Sequence, residues 1–367
     1  MKISRLALRG VAALPDVERD FTAASGRPYD LIVVTGPAAS GKTRLCEVIL
    51  AVLETVGAYH GIVHASDWYA DAARGARAEL GVWLEEGPEV DEGRQGQGGS
   101  APGAARTSQV VVDFTSRGVH SVVDRAVGRQ LRLYDHDPAH GKREYFPESR
   151  QRAWGTRNDG LGAPEQSLLR STKDPQKYSF VPRFLAELRT HAEHRRAFAA
   201  RLESLSPTVR YVPAPRGGDP TACFANQARV GVPYDELSSS EADAVMIAAT
   251  AVMIGLHHSI VFVDRPELYV PPDRLVAWTQ SLLQLGANNQ WIVATSDAGL
   301  ASSVERSQLI DLGETDRNAA SAPRSSAAGA AGAAGAAGAA GAAGPAGAAG
   351  PAGPAGPAGP AGPWRAS

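Results

Sequence analysis

At 367 residues and a formal net charge of -2, with 37 Lys+Arg against 39 Asp+Glu, the chain is long enough to bury an α/β core and carry an inserted subdomain. The near-neutral balance excludes a global attraction to nucleic acid or anionic lipid, so any such contact must come from a local patch. The two cysteines, Cys46 and Cys223, supply neither a disulfide framework nor metal-ligand spacing, and a reducing cytoplasm fits best.

Charges at Arg5, Arg9, Asp16, Glu18, Arg19 and Asp20 interrupt the N-terminal stretch, so no secretory leader is expected. Two short strands precede a stronger one, Leu31-Ile32-Val33-Val34, apolar on both faces as an interior parallel strand is. Leu45, Val48, Ile49, Val52 and Leu53 then recur at helical spacing until Gly57. Strand-like pieces follow at Leu80–Leu84, Val110–Phe114 and Leu131–Tyr134, around a Gly/Gln-rich stretch from Glu92 to Arg106 that reads as a loop.

A single long helix is predicted over Phe180–Leu205, with Phe184, Leu185, Leu188, Ala192, Phe198 and Leu202 on its apolar side. Further β-like pieces lead to Leu237. The α/β pattern then resumes with a helix over Ser239–Leu256, a strand at Ile260–Val263, a helix over Asp273–Leu285 and a strand at Trp291–Ala294. The longest uncharged apolar run, Ala244–Leu256, is shorter than the ~20 residues that span a bilayer and reads as a buried core helix, so no membrane partner is expected. From Gly329 to Gly362 glycine occupies every third position, a collagen-like period. Half of these twelve triplets are Gly-Ala-Ala, with too few imino acids to preset a triple helix, so a disordered tail is the expectation.

The chemistry concentrates in Gly36-Pro-Ala-Ala-Ser-Gly-Lys-Thr43, placed between a strand and a helix. Gly36 and Gly41 let the backbone curl around phosphates, whose charge meets N–H groups at the helix N-terminus. Lys42 is placed to reach the β- and γ-phosphates and Thr43 to hold Mg²⁺, with Ser40 and Arg44 beside them, so ATP and Mg²⁺ are the expected cofactors. Asp264, ending its strand, is the expected carboxylate for the metal; Asp113 and Asp124 are weaker rivals.

With the N-terminal Met1-Lys2-Ile3-Ser4-Arg5-Leu6, the loop at Gly36–Thr43, Leu237-Ser-Ser-Ser-Glu241, Ile260–Leu268 and Ile292–Ser296, the chain resembles ABC-type ATPases of the SMC and RecF-like group, including the AAA-family, OLD-like members. The resemblance spans roughly residues 1–60 and 235–312. It implies an α/β P-loop NTPase with a mixed or parallel sheet, its core in 1–60 and 235–318, an inserted β and helical subdomain in 61–234, and a tail from 319 to 367. Leu237–Glu241 looks like the family's signature loop, which reaches the γ-phosphate held by a second subunit. A homodimer joined through ATP is thereby implied, with Ser238 and Ser240 binding nucleotide. Ser238 and Glu241 also have capping-box spacing before an apolar helix.

Three departures bear on hydrolysis. Ser240 replaces the signature glycine, Arg265 stands where the family has the catalytic glutamate, and Ser296 stands where it has a γ-phosphate-sensing histidine. Arginine cannot act as a base, and losing a general base typically lowers turnover by about two to four orders of magnitude. Glu267 is the one candidate substitute, expected to point elsewhere unless the turn is unusual. Arg265 is expected in a salt bridge with Glu267 or a neighbouring subunit, a reading preferred to that of a catalytic arginine finger. The resulting expectation is ATP binding that closes a dimer, with slow or absent hydrolysis, coupled to an unknown protein partner in DNA maintenance or defence.

Other features weigh less. Arg183, Arg189, Arg195, Arg196 and Arg201 with His191 and His194 form a candidate DNA-contacting face that Glu187, Glu193 and Glu203 dilute, so a solvated face is the preferred reading. His191 and His194 lack a third metal ligand. Tyr145–Arg150 resembles a segment that precedes the helical subdomain in some of these ATPases, and Gln151 is a candidate nucleotide-sensing glutamine. Trp68, Trp83, Trp154, Trp278 and Trp291 read as packing residues. A P-loop small-molecule kinase and a scaffold assembled through its tail are the competing functions.

Overall fold

Apolar runs covered on both sides form the centre of the molecule. The computed structural model describes residues 1–57, 64–84, 106–132, 137–150, 169–213 and 223–314, all within one compact unit, Met1–Ala322. In chain order the strands are β1 (Lys2–Arg9), β2 (Val17–Asp20), β3 (Leu31–Thr35), β4 (Ala76–Leu84), β5 (Arg106–Thr115), β6 (Gly118–Val123), β7 (Arg143–Phe146), β8 (Arg210–Tyr211), β9 (Phe224–Ala225), β10 (Val230–Val232), β11 (Ile260–Asp264), β12 (Gln290–Ala294) and β13 (Leu309–Asp311). The helices are α1 (Lys42–Gly57), α2 (Arg125–Leu131), α3 (Val181–Glu187), α4 (Ala192–Leu205), α5 (Ser239–Met253), α6 (Pro272–Leu282) and α7 (Ala298–Ser302).

Two five-stranded sheets carry the fold: an antiparallel one ordered β2-β1-β4-β5-β6 and a parallel one ordered β13-β3-β12-β11-β7. A smaller antiparallel sheet orders β10-β9-β8. Helix α1 lies between the two large sheets, which is why Leu45, Cys46, Val48, Ile49, Val52 and Leu53 are buried around much of its circumference. The parallel strands alternate. Ile32, Val34, Phe262 and Ile292 join the cluster around α1 and the antiparallel sheet, whereas Leu31, Val33, Val261 and Val293 face the cluster built by α3 to α6. Helix α5, the predicted core helix, is buried from Glu241 to Ala251 without interruption. Among the described residues, no helix is long and apolar enough to cross a membrane.

Two sequence expectations require correction. The strand expected at Leu131–Tyr134 begins instead in helix α2, whose N-cap Asp124 accepts from the Ala126 N–H at 2.7 Å and whose Val127 and Leu131 are buried one turn apart. The single long helix over Phe180–Leu205 is two helices. At the break, the Thr190 hydroxyl donates to the Glu187 carbonyl at 3.0 Å and His191 turns out of helical geometry. Arg189, Thr190 and His191 are exposed, and the bend lets Phe184, Leu185 and Leu188 enter the same cluster as Phe198 and Leu202 while Ala192 stays in solvent.

The bend also divides the arginine face. Arg183 pairs with Glu187 at 2.8 Å, and Arg195 donates to the Leu188 and Arg189 carbonyls. Trp83, Trp278 and Trp291 are buried. Gln151, Trp154, the Gly/Gln-rich stretch up to residue 105 and the Gly-x-y tail lie outside the described residues.

Candidate functional site

The parallel register aligns Val34, Ala294 and Asp264 at the carboxyl ends of β3, β12 and β11, with Phe146 of β7 opposite Val263. The segments that leave these ends are the phosphate loop, Thr295-Ser296, Arg265–Leu268 and Pro147–Arg150, which is where open parallel sheets gather ligand-binding groups.

In the loop, Gly36 and Gly41 take φ of +149° and +92°, conformations that L side chains rarely adopt. A Cβ on Gly41 would sit 2.8 Å from the Ala13 carbonyl oxygen and 2.6 Å from a Leu14 methyl. Gly41→Ala is therefore expected to destabilise the protein by about 1–3 kcal/mol, readable as a lowered melting temperature. Lys42 is buried, and its ammonium bridges back over the loop to the Gly36 and Pro37 carbonyls at 2.9 and 2.8 Å. Burial lowers its pKa, with Glu267 opposing that shift and Arg265 reinforcing it.

Arg44 turns away from the loop. It stacks on Trp68 at 4.1 Å and donates to the carbonyls of Ala12 and Asp67, so it fastens α1 to the β1–β2 connection.

Asp264 is fully buried. Desolvation raises its pKa above the ordinary 3.8, against the opposing hydrogen bonding of Thr43 and Tyr145. Its Oδ2 accepts from the Tyr145 hydroxyl at 3.2 Å, and its Oδ1 has no hydrogen-bond partner of normal geometry among the described residues. The buried Ser40 hydroxyl likewise has no hydrogen-bond partner among the described residues. Two orphaned oxygens beside Thr43 and Lys42 fit a hydrated Mg²⁺ with a polyphosphate: Thr43 and Asp264 would hold the metal, and Ser40, Lys42 and the loop N–H groups the phosphates. The ion would neutralise phosphate charge. The rivals serve elsewhere, since Asp113 pairs with Arg77 at 3.4 Å and Asp124 caps α2 while pairing with Arg106 at 2.5 Å.

The turn after Asp264 is unusual. Arg265 has left-handed backbone geometry (φ 49°, ψ 58°), followed by a 3₁₀ turn at Pro266–Leu268. This swings Glu267 back to the end of β12, where it accepts from the Thr295 hydroxyl at 2.8 Å and the Ser296 N–H at 3.0 Å. The expected pairing of Arg265 with Glu267 is thus corrected: Arg265 instead bonds Glu148 at 3.2 Å, because the left-handed residue sends the two side chains to opposite neighbours.

Ser238 and Glu241 form a capping box at the start of α5, with Ser238 N–H to Glu241 at 2.9 Å and Glu241 N–H to Ser238 at 3.3 Å. The Ser240 hydroxyl donates to the Tyr269 carbonyl. Both serines are exposed, and no hydrogen bond joins either to the loop among the described residues.

Three residues of the site escaped the sequence reading: Tyr145, Glu148 and Arg150. Arg150 is buried, paired with Asp243 at 2.6 Å, bonded to the Asp264 carbonyl at 2.9 Å and stacked over Tyr269 at 4.4 Å. The Tyr269 hydroxyl in turn donates to the Glu148 and Arg150 carbonyls at 2.9 and 3.1 Å, bracing the two turns together. The only sequence signal for them was their common segment, Tyr145–Arg150.

Among solved structures the chain is similar to an SMC head bound to the C-winged helix domain of ScpA, with a TM-score of 0.51 and 11% identity over 85% of this chain and 94% of that one. The fold is that of an SMC head. The SMC head domain from Thermotoga maritima is similar at a TM-score of 0.45 and 12% identity, covering 85% of this chain and 94% of that one. An SMC head with an extended coiled coil, bound to the C-terminal domain of ScpA and derived from Pyrococcus furiosus, gives 0.47 and 13% over 84% and 92%. No protein-family model and no curated protein matches the sequence. Strand β3, helix α1 and the turn after β11 bring Lys42, Thr43, Asp264 and Glu267 to one end of the parallel sheet.

Proposed function

We propose that this chain is a nucleotide-operated module that binds Mg²⁺-ATP in the loop Gly36–Thr43, closes head to tail on a second copy, and transmits that closure to a protein partner. The observation that carries the reading is the buried Asp264 carboxylate beside Thr43, with one oxygen lacking a hydrogen-bond partner of normal geometry among the described residues and its pKa raised by burial. A group that is costly to ionise alone is what a divalent cation stabilises. Ser238 and Ser240, exposed at the N-terminus of α5, are available to a nucleotide held by the second copy. Partner coupling is supported by the SMC-head fold, since one similar head is bound to a domain of another protein.

Hydrolysis is slow in this proposal, because Arg265 replaces the expected base, and Glu267 supplies what general-base assistance there is from the end of β12. Glu267→Gln is expected to retain ATP binding and to lower single-turnover hydrolysis by about 10²–10⁴-fold. Unchanged turnover would remove Glu267 from the reaction. The reading as a whole is tested by light scattering on the eluted full chain and Lys42→Ala, each with and without Mg²⁺-ATP. Wild type should double in mass with nucleotide and the variant should not. Rapid turnover of the kind ordinary ABC ATPases show, lost in Lys42→Ala, would contradict the binding-first reading.

A further inference from the structure

We infer that Arg265 is a γ-phosphate ligand of its own protomer's nucleotide site, held aside by Glu148 and transferred to the terminal phosphate when a nucleoside triphosphate binds. The inference rests on the nucleotide-binding reading above and adds a determinant of triphosphate over diphosphate.

Position comes first. Arg265 directly follows the metal-site carboxylate, and its backbone N–H is fixed to the Ala294 carbonyl of the neighbouring strand at 2.8 Å. Its left-handed backbone is uncommon for a side chain of this size, and such outliers persist where the surroundings impose them and the site uses them. Arg265 thus leaves the same end of the parallel sheet as the phosphate loop that carries Lys42.

The present partner is weak enough to exchange. Arg265 makes one side-chain hydrogen bond among the described residues, to Glu148 at 3.2 Å, and the two side chains are 43% and 38% exposed. Such half-exposed pairs contribute little, and among the described residues the Glu148 contact occupies one of the five N–H donors of the guanidinium. A terminal phosphate offers more charge and a bidentate geometry that matches the guanidinium fork, so it outcompetes a single carboxylate oxygen. Glu267 does not compete, because both its oxygens are engaged by Thr295 and Ser296. A diphosphate lacks the group that Arg265 would meet.

Calorimetric titration of the full chain with Mg²⁺ and either ADP or a non-hydrolysable ATP analogue provides the test. Arg265→Gln should weaken analogue binding by about ten- to hundredfold and leave ADP binding essentially unchanged. Glu148→Gln should tighten the analogue, since it removes the competing partner. Equal losses for both nucleotides in Arg265→Gln, no loss at all, or a weaker analogue complex in Glu148→Gln would overturn the assignment while leaving nucleotide binding standing. Wild-type protein that binds neither nucleotide would overturn the underlying reading itself.

Discussion

Arg150→Ala is expected to destabilise the protein by about 3–5 kcal/mol, measured as the shift in its denaturant midpoint. The guanidinium is buried with its side chain 0% exposed against 2% for Asp243, and the two are 2.6 Å apart. Burial opposes the arginine's charge, but Asp243 beside it prevails and raises its pKa; burial raises the pKa of Asp243, which Arg150 pulls down. Removing the arginine leaves a buried carboxylate without its counter-charge and strips donors from the carbonyls of Phe146, Pro147 and Asp264.

The pH dependence has a definite sign. An aspartate whose folded pKa lies above its unfolded value loses stability as pH rises from the unfolded toward the folded pKa, and without Arg150 this gap widens. The variant should therefore be least impaired in mild acid and most impaired at neutral pH. Arg150→Met with Asp243→Leu should recover much of the loss, because no charge is then stranded. A single variant as stable as wild type at neutral pH would show that the pair does not brace the site.

What was legible in the sequence follows how local the determinant is. The phosphate loop, α1 and the strands β3, β11 and β12 declare themselves because each is a contiguous run with its own pattern: glycines at fixed spacing, a 3.6-residue period, or short apolar stretches buried on both faces. Asp264 is legible for the same reason, as the residue ending such a stretch. Strand β7 is not, since Arg-Glu-Tyr-Phe lacks an apolar run. All four residues are nonetheless buried, because Arg143 bonds Ser171 and the Leu131 carbonyl while Glu144 pairs with Lys177 at 3.0 Å.

The partners of Asp264 are equally remote. Tyr145 and Arg150 are 119 and 114 residues away, and only the pairing of β7 with β11 brings them close. The course of Glu267 depended on one dihedral, the left-handed φ at Arg265, which no periodicity encodes. Likewise the helix break at Leu188–His191 arises from side chains capturing backbone groups, a choice that spacing of apolar residues does not reveal.

Asp264→Asn is expected to separate stability from function in opposite directions. The carboxylate is fully buried, its Oδ1 has no hydrogen-bond partner of normal geometry among the described residues, and burial raises its pKa. Its charge therefore disfavours the folded state at neutral pH, and that penalty grows as pH rises through the interval above 3.8. Asparagine is close in shape, keeps an oxygen for the Tyr145 hydroxyl and carries no charge, so the variant should gain about 1–2 kcal/mol and lose this part of the pH dependence. The same substitution removes the anionic group proposed to orient hydrated Mg²⁺ opposite Thr43. Changes to groups that merely support a metal ligand cost about 10–100-fold in affinity, so Mg²⁺-dependent nucleotide binding should fall by about a hundredfold or more. Thermal melts in chelator across pH, paired with Mg²⁺ titrations at fixed ATP, measure both effects. A variant less stable than wild type, or one that binds Mg²⁺-ATP normally, would mean that Asp264 is retained for packing and not for the metal.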